Sequence, residues 1–220
     1  MDMARRYGLI VFDWDGTLID SAGAIVACIQ AACRDLNLPV PDDECAAHVI
    51  GLGLGDALSY AIPGLSPSEY PGVAERYRHH FLLRDPDIPL FPGTRDLLAG
   101  LRERGHVLAI ATGKSTRGLA RALQTTGVEG FFAASRCADQ CASKPAPDML
   151  QALMDELAIG AEATLMIGDT IHDLQMAANA GVPALAVGHG AHPREKLLAL
   201  NPVAYVDDTA GMELWLRQNA

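Results

Sequence analysis

Two aspartates, Asp13 and Asp15, stand two residues apart in the run Phe12-Asp13-Trp14-Asp15-Gly16-Thr17, directly after the apolar residues 8–12. In an extended chain that spacing turns both carboxylates to one side, with Trp14 on the other. Gly16 then permits a sharp turn. Charges at the end of a buried strand are costly unless a metal or ligand compensates them. Three further runs carry matching groups. Thr112-Gly113-Lys114-Ser115 leads from an apolar run toward a helix whose free N–H groups suit an anion. Lys144 precedes Pro145, which favours an extended backbone at the lysine and so restricts its ammonium. Gly168-Asp169-Thr170-Ile171-His172-Asp173 places two carboxylates four apart, as on one side of a first helical turn. Four carboxylates, one hydroxyl and one amine, with no thiol among them, favour Mg²⁺ over zinc or copper. The chemistry that uses such a set is phosphoryl transfer, with a carboxylate nucleophile and a lysine neutralising charge.

Elements that can position these groups alternate along the chain. Residues 8–12, 106–111, 164–167, 183–187 and 203–206 read as strands, and between them lie amphipathic helices. Met149, Leu150, Leu153, Met154 and Leu157 share one helical face; Leu97, Leu98 and Leu101 share another, with Gly105 where a C-terminal cap belongs. This rhythm predicts an α/β fold, a doubly wound parallel sheet with its site at the strand carboxyl ends. Residues 21–85 break it: they read as helices separated by Pro and Gly, an all-helical insertion within a core of residues 1–20 and 86–220.

The 220 residues suit one domain with a modest insertion, and half are hydrophobic, which excludes global disorder. Lys plus Arg is 17 against 27 Asp plus Glu, a net charge of −10 that argues against nucleic acid or an anionic membrane as partner. Only Lys114, Lys144 and Lys196 are lysines. The apolar run after Arg5 and Arg6 is too short for a signal peptide, no stretch is long enough to span a membrane, and five cysteines do not suggest a disulfide framework. The expectation is a cytoplasmic protein, monomer or homodimer, acting on a small molecule.

The four runs, Asp13-x-Asp15-Gly16-Thr17-x-x-Asp20-Ser21, Thr112-Gly113, Lys144-Pro145-x-Pro147-Asp148 and Gly168-Asp169-x-x-x-Asp173, come in an order that resembles the haloacid dehalogenase superfamily. The chain looks in particular like its phosphatases with a small helical cap after the first strand, of which phosphoglycolate phosphatases are the best-known close relatives. The resemblance implies a Rossmann-like core in which Asp13 attacks phosphorus to form an aspartyl-phosphate. Asp15 protonates the leaving oxygen and then deprotonates the hydrolytic water. Gly16, Thr112, Gly113 and Lys144 meet the phosphoryl group. Mg²⁺ is held by Asp13, the Asp15 backbone carbonyl and Asp169, with Asp173 bound to it or one layer out.

Fold alone does not settle the reaction. Dehalogenases and phosphonatases of this superfamily lack the second carboxylate, here Asp15; phosphonatases use a cap lysine, and residues 21–85 contain none. Related mutases rely on a cap histidine about a dozen residues after the nucleophile, where this chain has Ile25. A phosphatase for a small, phosphoglycolate-like ester is the reading left, with a phosphotransferase or an inorganic pyrophosphatase as alternatives. Residues 51–56 (GLGLGD) are the segment expected to cover the site. Lys114 reads either as a substrate contact or, equally, as a solvated helix-start residue; Asp20 and Ser21 read as helix caps, His172 as helix surface rather than site lining, Cys28 and Cys33 as packing residues, and Cys137 and Cys141 as structural or incidental rather than a metal pair. His189 and His192 have no assigned task.

Overall fold

A computed structural model describes residues 6–220; the first five, Arg5 and the start of the expected 1–20 core segment among them, lie outside the described residues. Six strands form one parallel sheet in the order β3-β2-β1-β4-β5-β6: β1 Leu9–Phe12, β2 Val107–Thr112, β3 Ala134–Cys137, β4 Thr164–Gly168, β5 Ala184–Val187 and β6 Ala204–Val206. The central strand shows the side-chain alternation that covers both faces. Ile10 and Phe12 pack with Leu97, Leu98 and Leu101 of α5 (Thr94–Glu103) and with Met212 of α10 (Thr209–Asn219). Leu9 and Val11 pack on the other face with Met149, Leu150 and Leu153 of α7 (Asp148–Leu157) and Leu174 of α8 (Ile171–Asn179). Helices α6 (Thr116–Thr126) and α9 (Arg194–Leu198) complete the two layers.

Five strands lie where the apolar runs predict them, within a residue or so. β3 is the exception. Its sequence, Ala-Ser-Arg-Cys, is only partly buried because the strand lies at the sheet edge, so it carries no apolar run to announce it.

Between β1 and α5 the chain forms α1 (Ala22–Asp35), α2 (Asp43–His48), α3 (Leu54–Ala61) and α4 (Tyr70–Arg84), with no strand. In α1 the buried residues Ile25, Cys28, Ile29, Ala32 and Cys33 follow helical spacing and form the face that packs in the core. The chain leaves and re-enters the sheet layer through two segments that run antiparallel beside each other. Ile19 bridges Leu90, the Asp20 N–H donates to the Pro89 carbonyl at 3.0 Å, and the Phe91 N–H donates to Leu18 at 3.0 Å. No helix among the described residues is long and apolar enough to cross a membrane.

Candidate active site

The sheet order places β1 between β2 and β4, so the carboxyl ends of all three open into one crevice where the winding direction reverses. Asp13 follows β1, its N–H donating to the Ile167 carbonyl of β4 at 2.9 Å. Asp169 follows β4, and Thr112 ends β2. Asp13, Thr112, Asp169 and Asp173 are fully buried, Lys144 nearly so. Gly16 adopts the left-handed conformation (φ 79°), and a Cβ there would collide with the Asp169 carboxylate. The turn after β1 therefore requires glycine.

Lys144 is the hub of the buried set. Its Nζ lies 2.7 Å from Asp13 Oδ1 and 2.6 Å from Asp173 Oδ1. Burial alone would lower the ammonium's pKa, but the two carboxylates outweigh it and hold Lys144 above its ordinary value. Thr17 Oγ1 donates to Asp169 Oδ1 at 2.6 Å, and the Ala191 N–H donates to Asp169 Oδ2 at 2.8 Å. Asp173 sits in the first turn of α8, where its Oδ2 accepts from the Thr170 N–H and hydroxyl in a capping box. Asp169 is not on that turn, as the four-residue spacing suggests; it precedes the N-cap, at the end of β4. The second Asp13 oxygen, Oδ2, is buried with no hydrogen-bond partner among the described residues.

Ligand oxygens of Asp13, Asp169 and Asp173 lie within 4.8 Å of one another. Three clustered carboxylates against one ammonium leave an excess of buried negative charge. Burial first, then the neighbouring carboxylates, pushes the pKa of Asp13 well up and that of Asp169 up to about 7. An all-oxygen set with one unpartnered buried oxygen fits a hard divalent cation. Asp173 accepts three hydrogen bonds, one from Lys144 and two from Thr170, against two at Asp169 and one at Asp13, so Asp13 and Asp169 are the freer ligands. The Asp15 carboxylate stands outside this trio.

The raised value carries a sign. Between about pH 4, where an unfolded aspartate titrates, and about 7, where folded Asp169 does, the metal-free folded state binds more protons than the unfolded state. This group's contribution to stability therefore falls as pH rises through that window. A bound cation reverses the penalty. Mg²⁺ is expected to raise the melting temperature more at about pH 8 than at about pH 5.5; equal shifts in thermal unfolding at both would contradict the assignment.

Asp15 is held separately at the edge of a cleft. Ser21 Oγ donates to Asp15 Oδ1 at 2.7 Å, and Lys114 Nζ reaches the same oxygen at 2.9 Å. Among the described residues no hydrogen bond engages Oδ2. The expectations for Ser21 and Lys114 are corrected here. Ser21 occupies the N-cap position of α1 but makes no capping bond, because its hydroxyl serves Asp15. Lys114 is not solvated: it spans to Asp15 with its ammonium 4.5 Å above the Phe81 ring. Thr112 Oγ1 accepts from the Lys114 N–H at 3.2 Å. Thr17 likewise escaped the sequence reading, although both it and Ser21 lie inside the first run.

The helical insertion is closed over this end of the sheet. The Gly51 and Leu52 carbonyls lie so near Gly113 that any side chain there would collide with them, and the Gly53 N–H donates to Ser143 Oγ at 2.9 Å. The 51–56 segment thus covers the site as expected, though Leu54 already opens α3. His172 is not helix surface but buried. The Nε2 atoms of His172 and His192 both converge on the His48 carbonyl at the end of α2, at 2.7 and 3.1 Å. His192 Nδ1 accepts from the Ile171 N–H at 3.0 Å, which leaves the proton on Nε2 to be donated. His189 meets the Thr17 carbonyl at 3.1 Å and stacks on Phe91. His172→Leu is expected to cost about 0.5–1.5 kcal/mol by removing one of the two donors, read as a lower urea midpoint. An unchanged midpoint would show that the ring holds nothing.

Residues 10–187 match the family model of haloacid dehalogenase-like hydrolases. This chain belongs to that family. The hydrolase is 36% identical over 205 residues to "Probable phosphatase IndB" of Dickeya dadantii, covering 90% of this chain and 89% of that protein. It is 32% identical over 222 residues to the phosphoglycolate phosphatase of Rhodospirillum rubrum, covering 94% and 90%. A hydrolase from Pseudomonas syringae superposes with a TM-score of 0.88 at 21% identity, covering 96% of this chain and 98% of that one, and shares the fold. The family and these full-length relatives place the hydrolase among the phosphate-ester hydrolases.

Proposed function

We propose that the hydrolase is a Mg²⁺-dependent phosphomonoesterase that works through a phosphorylated Asp13. The observation that carries this reading is the state of Asp13: one oxygen is fixed by Lys144, and the other is buried without a partner. A carboxylate with one oxygen held by an ammonium and the other left open is placed to act as a nucleophile once a cation offsets the remaining negative charge of the cluster. Its attack on phosphorus forms a P–O bond to Asp13 as the bond to the leaving oxygen breaks. Asp15, anchored through Oδ1 alone, donates a proton to that leaving oxygen. It then takes a proton from water, which attacks the acyl phosphate and releases phosphate, restoring the Asp13 carboxylate and returning to Asp15 the proton it gave up. Lys144, the Thr112 hydroxyl and the Gly16 and Gly113 backbone meet the phosphoryl oxygens. Asp13, Asp169 and the Asp15 backbone carbonyl would hold Mg²⁺, with Asp173 orienting Lys144; the bound ion neutralises phosphate charge during attack.

In this reading residues 21–85 are a cap over a core of residues 1–20 and 86–220, and cap closure keeps bulk water from the acyl phosphate. Ile25, where related mutases carry histidine, is buried and offers no proton-transferring group. Phosphoglycolate, named for the Rhodospirillum relative, is the reference substrate. The test is acid quenching after rapid mixing with a ³²P-labelled ester and Mg²⁺. The expected result is base-labile label on the peptide bearing Asp13, accumulating in Asp15→Asn. Turnover without any covalent label, or turnover indifferent to chelator, would overturn the mechanism.

A further inference from the structure

Beyond the buried phosphoryl site, the leaving-group side of Asp15 opens into a cleft of about 810 Å³ between helical insertion and core. This volume persists although the insertion is seated: Gly53 is bonded to Ser143, and His48 to two core histidines. Clefts that enclose drug-sized ligands measure roughly 300–1,000 Å³; a two-carbon acid would leave most of this one filled with water.

The wall chemistry is equally unlike a carboxylate site. Ile25, Ile29, Val49 and Phe81 line it, and all four are buried. Its two inner cations are already paired, Lys114 with Asp15 and Arg121 with Asp85. Arg78 and Arg117 lie exposed, so neither supplies the desolvated charge that selects a small anion. Tyr77 and Phe81 form an aromatic pair on α4, rings 25° apart with centroids separated by 5.9 Å. The Tyr77 phenol has no hydrogen-bond partner among the described residues, although its ring lines the cleft. Burial and the nearby Asp15 carboxylate push its ionisation well up, so it stays a neutral hydroxyl.

We propose that this cleft selects phosphate monoesters whose leaving alcohol carries an uncharged aromatic or heteroaromatic ring of about nucleoside size, with Tyr77 and Phe81 as specificity-determining contacts. The inference rests on the phosphomonoesterase reading and adds the leaving group to it. The ring lies against the aromatic pair and the aliphatic wall, and Tyr77 hydrogen-bonds a polar atom on its edge. A substrate carboxylate would find the inner cations already paired and only the exposed Arg78 and Arg117 left to meet it, and is disfavoured.

The test compares kcat/KM for uridine 5′-monophosphate, ribose 5-phosphate, glycerol phosphate and 2-phosphoglycolate at one Mg²⁺ concentration, in wild type, Tyr77→Phe and Phe81→Leu. The expected order places the nucleotide above ribose 5-phosphate, and both above 2-phosphoglycolate, by about tenfold or more at the extremes. Each variant should narrow the nucleotide's advantage over glycerol phosphate several-fold. Phe81→Leu keeps the volume apolar, and Tyr77→Phe removes one oxygen, so the pair separates lost contact from lost folding. Equal rates for nucleotide and ribose phosphate, a preference for 2-phosphoglycolate, or preferences unmoved in both variants would overturn the leaving-group assignment and leave the phosphatase reading standing. Absence of Asp13-dependent turnover on every ester, p-nitrophenyl phosphate included, would remove the reading beneath it.

Discussion

On the proposed mechanism, Asp13→Asn is expected to slow Mg²⁺-dependent phosphate release by about 10⁴-fold or more, because it removes the proposed nucleophile on which the other groups converge. The substitution nearly conserves shape, so this loss should not come from unfolding. Asp13 is buried among like charges, which pushes its pKa well up. A carboxylate in that state destabilises the metal-free fold increasingly as pH rises above its ordinary value. Asparagine removes that penalty, and Lys144 keeps Asp173 as partner. Metal-free Asp13→Asn should therefore melt at or above the wild-type temperature while being inactive. Steady-state phosphate release and thermal unfolding measured on one preparation check both halves. Residual turnover above about 1% would point to a direct attack by water and away from a covalent step.

Lys144→Met should do the opposite to stability. The ammonium is buried between Asp13 and Asp173, and its removal leaves three clustered carboxylates without a cation. Deleting one member of a buried ion pair costs about 3–5 kcal/mol, so urea unfolding in the presence of chelator should show a large drop. Mg²⁺ should restore part of it, since the ion supplies the missing positive charge. Activity should stay low even in the metal-loaded protein, because the phosphoryl oxygens lose their ammonium. A variant as stable as wild type in chelator would mean that the carboxylates are protonated or dispersed, and that Lys144 is not their hub.

The deep part of the site was legible from the chain because each element there obeys two rules at once. Residues 8–12 are apolar on both faces, as only a central parallel strand must be, and the carboxylates appear where that strand ends. The same logic located Thr112 and Asp169 at the ends of β2 and β4. Legibility failed where a role depends on a distant neighbour. Ser21 occupies a helix N-cap position, and nothing local shows that its hydroxyl turns back to Asp15. Lys114 is one residue in a helix-start loop until α4 brings Phe81 beneath it. His172 sits between Ile171 and Asp173 in the first turn of α8, and only the arrival of α2 buries it against His48. Strand β3 is invisible for a related reason: an edge position asks for backbone pairing with Ala109–Thr112, not for hydrophobic side chains.

The two segments joining the helical insertion to the sheet lie side by side, tied by the Asp20–Pro89 and Phe91–Leu18 hydrogen bonds and the Ile19–Leu90 bridge. To the core, everything between them is a single excursion pinched shut at its base. The entropy of closing such a loop grows only slowly with its length, so the core gains little information about what the excursion contains. The insertion thus behaves as an exchangeable plug. A lineage can lengthen, shorten or replace it, and with it the wall proposed to meet the leaving group, while Asp13, Lys144 and Asp169 stay with the core. On the proposed reading, chemistry and choice of substrate are thereby inherited on separate pieces of one chain, joined by a clip of one bridge and two hydrogen bonds.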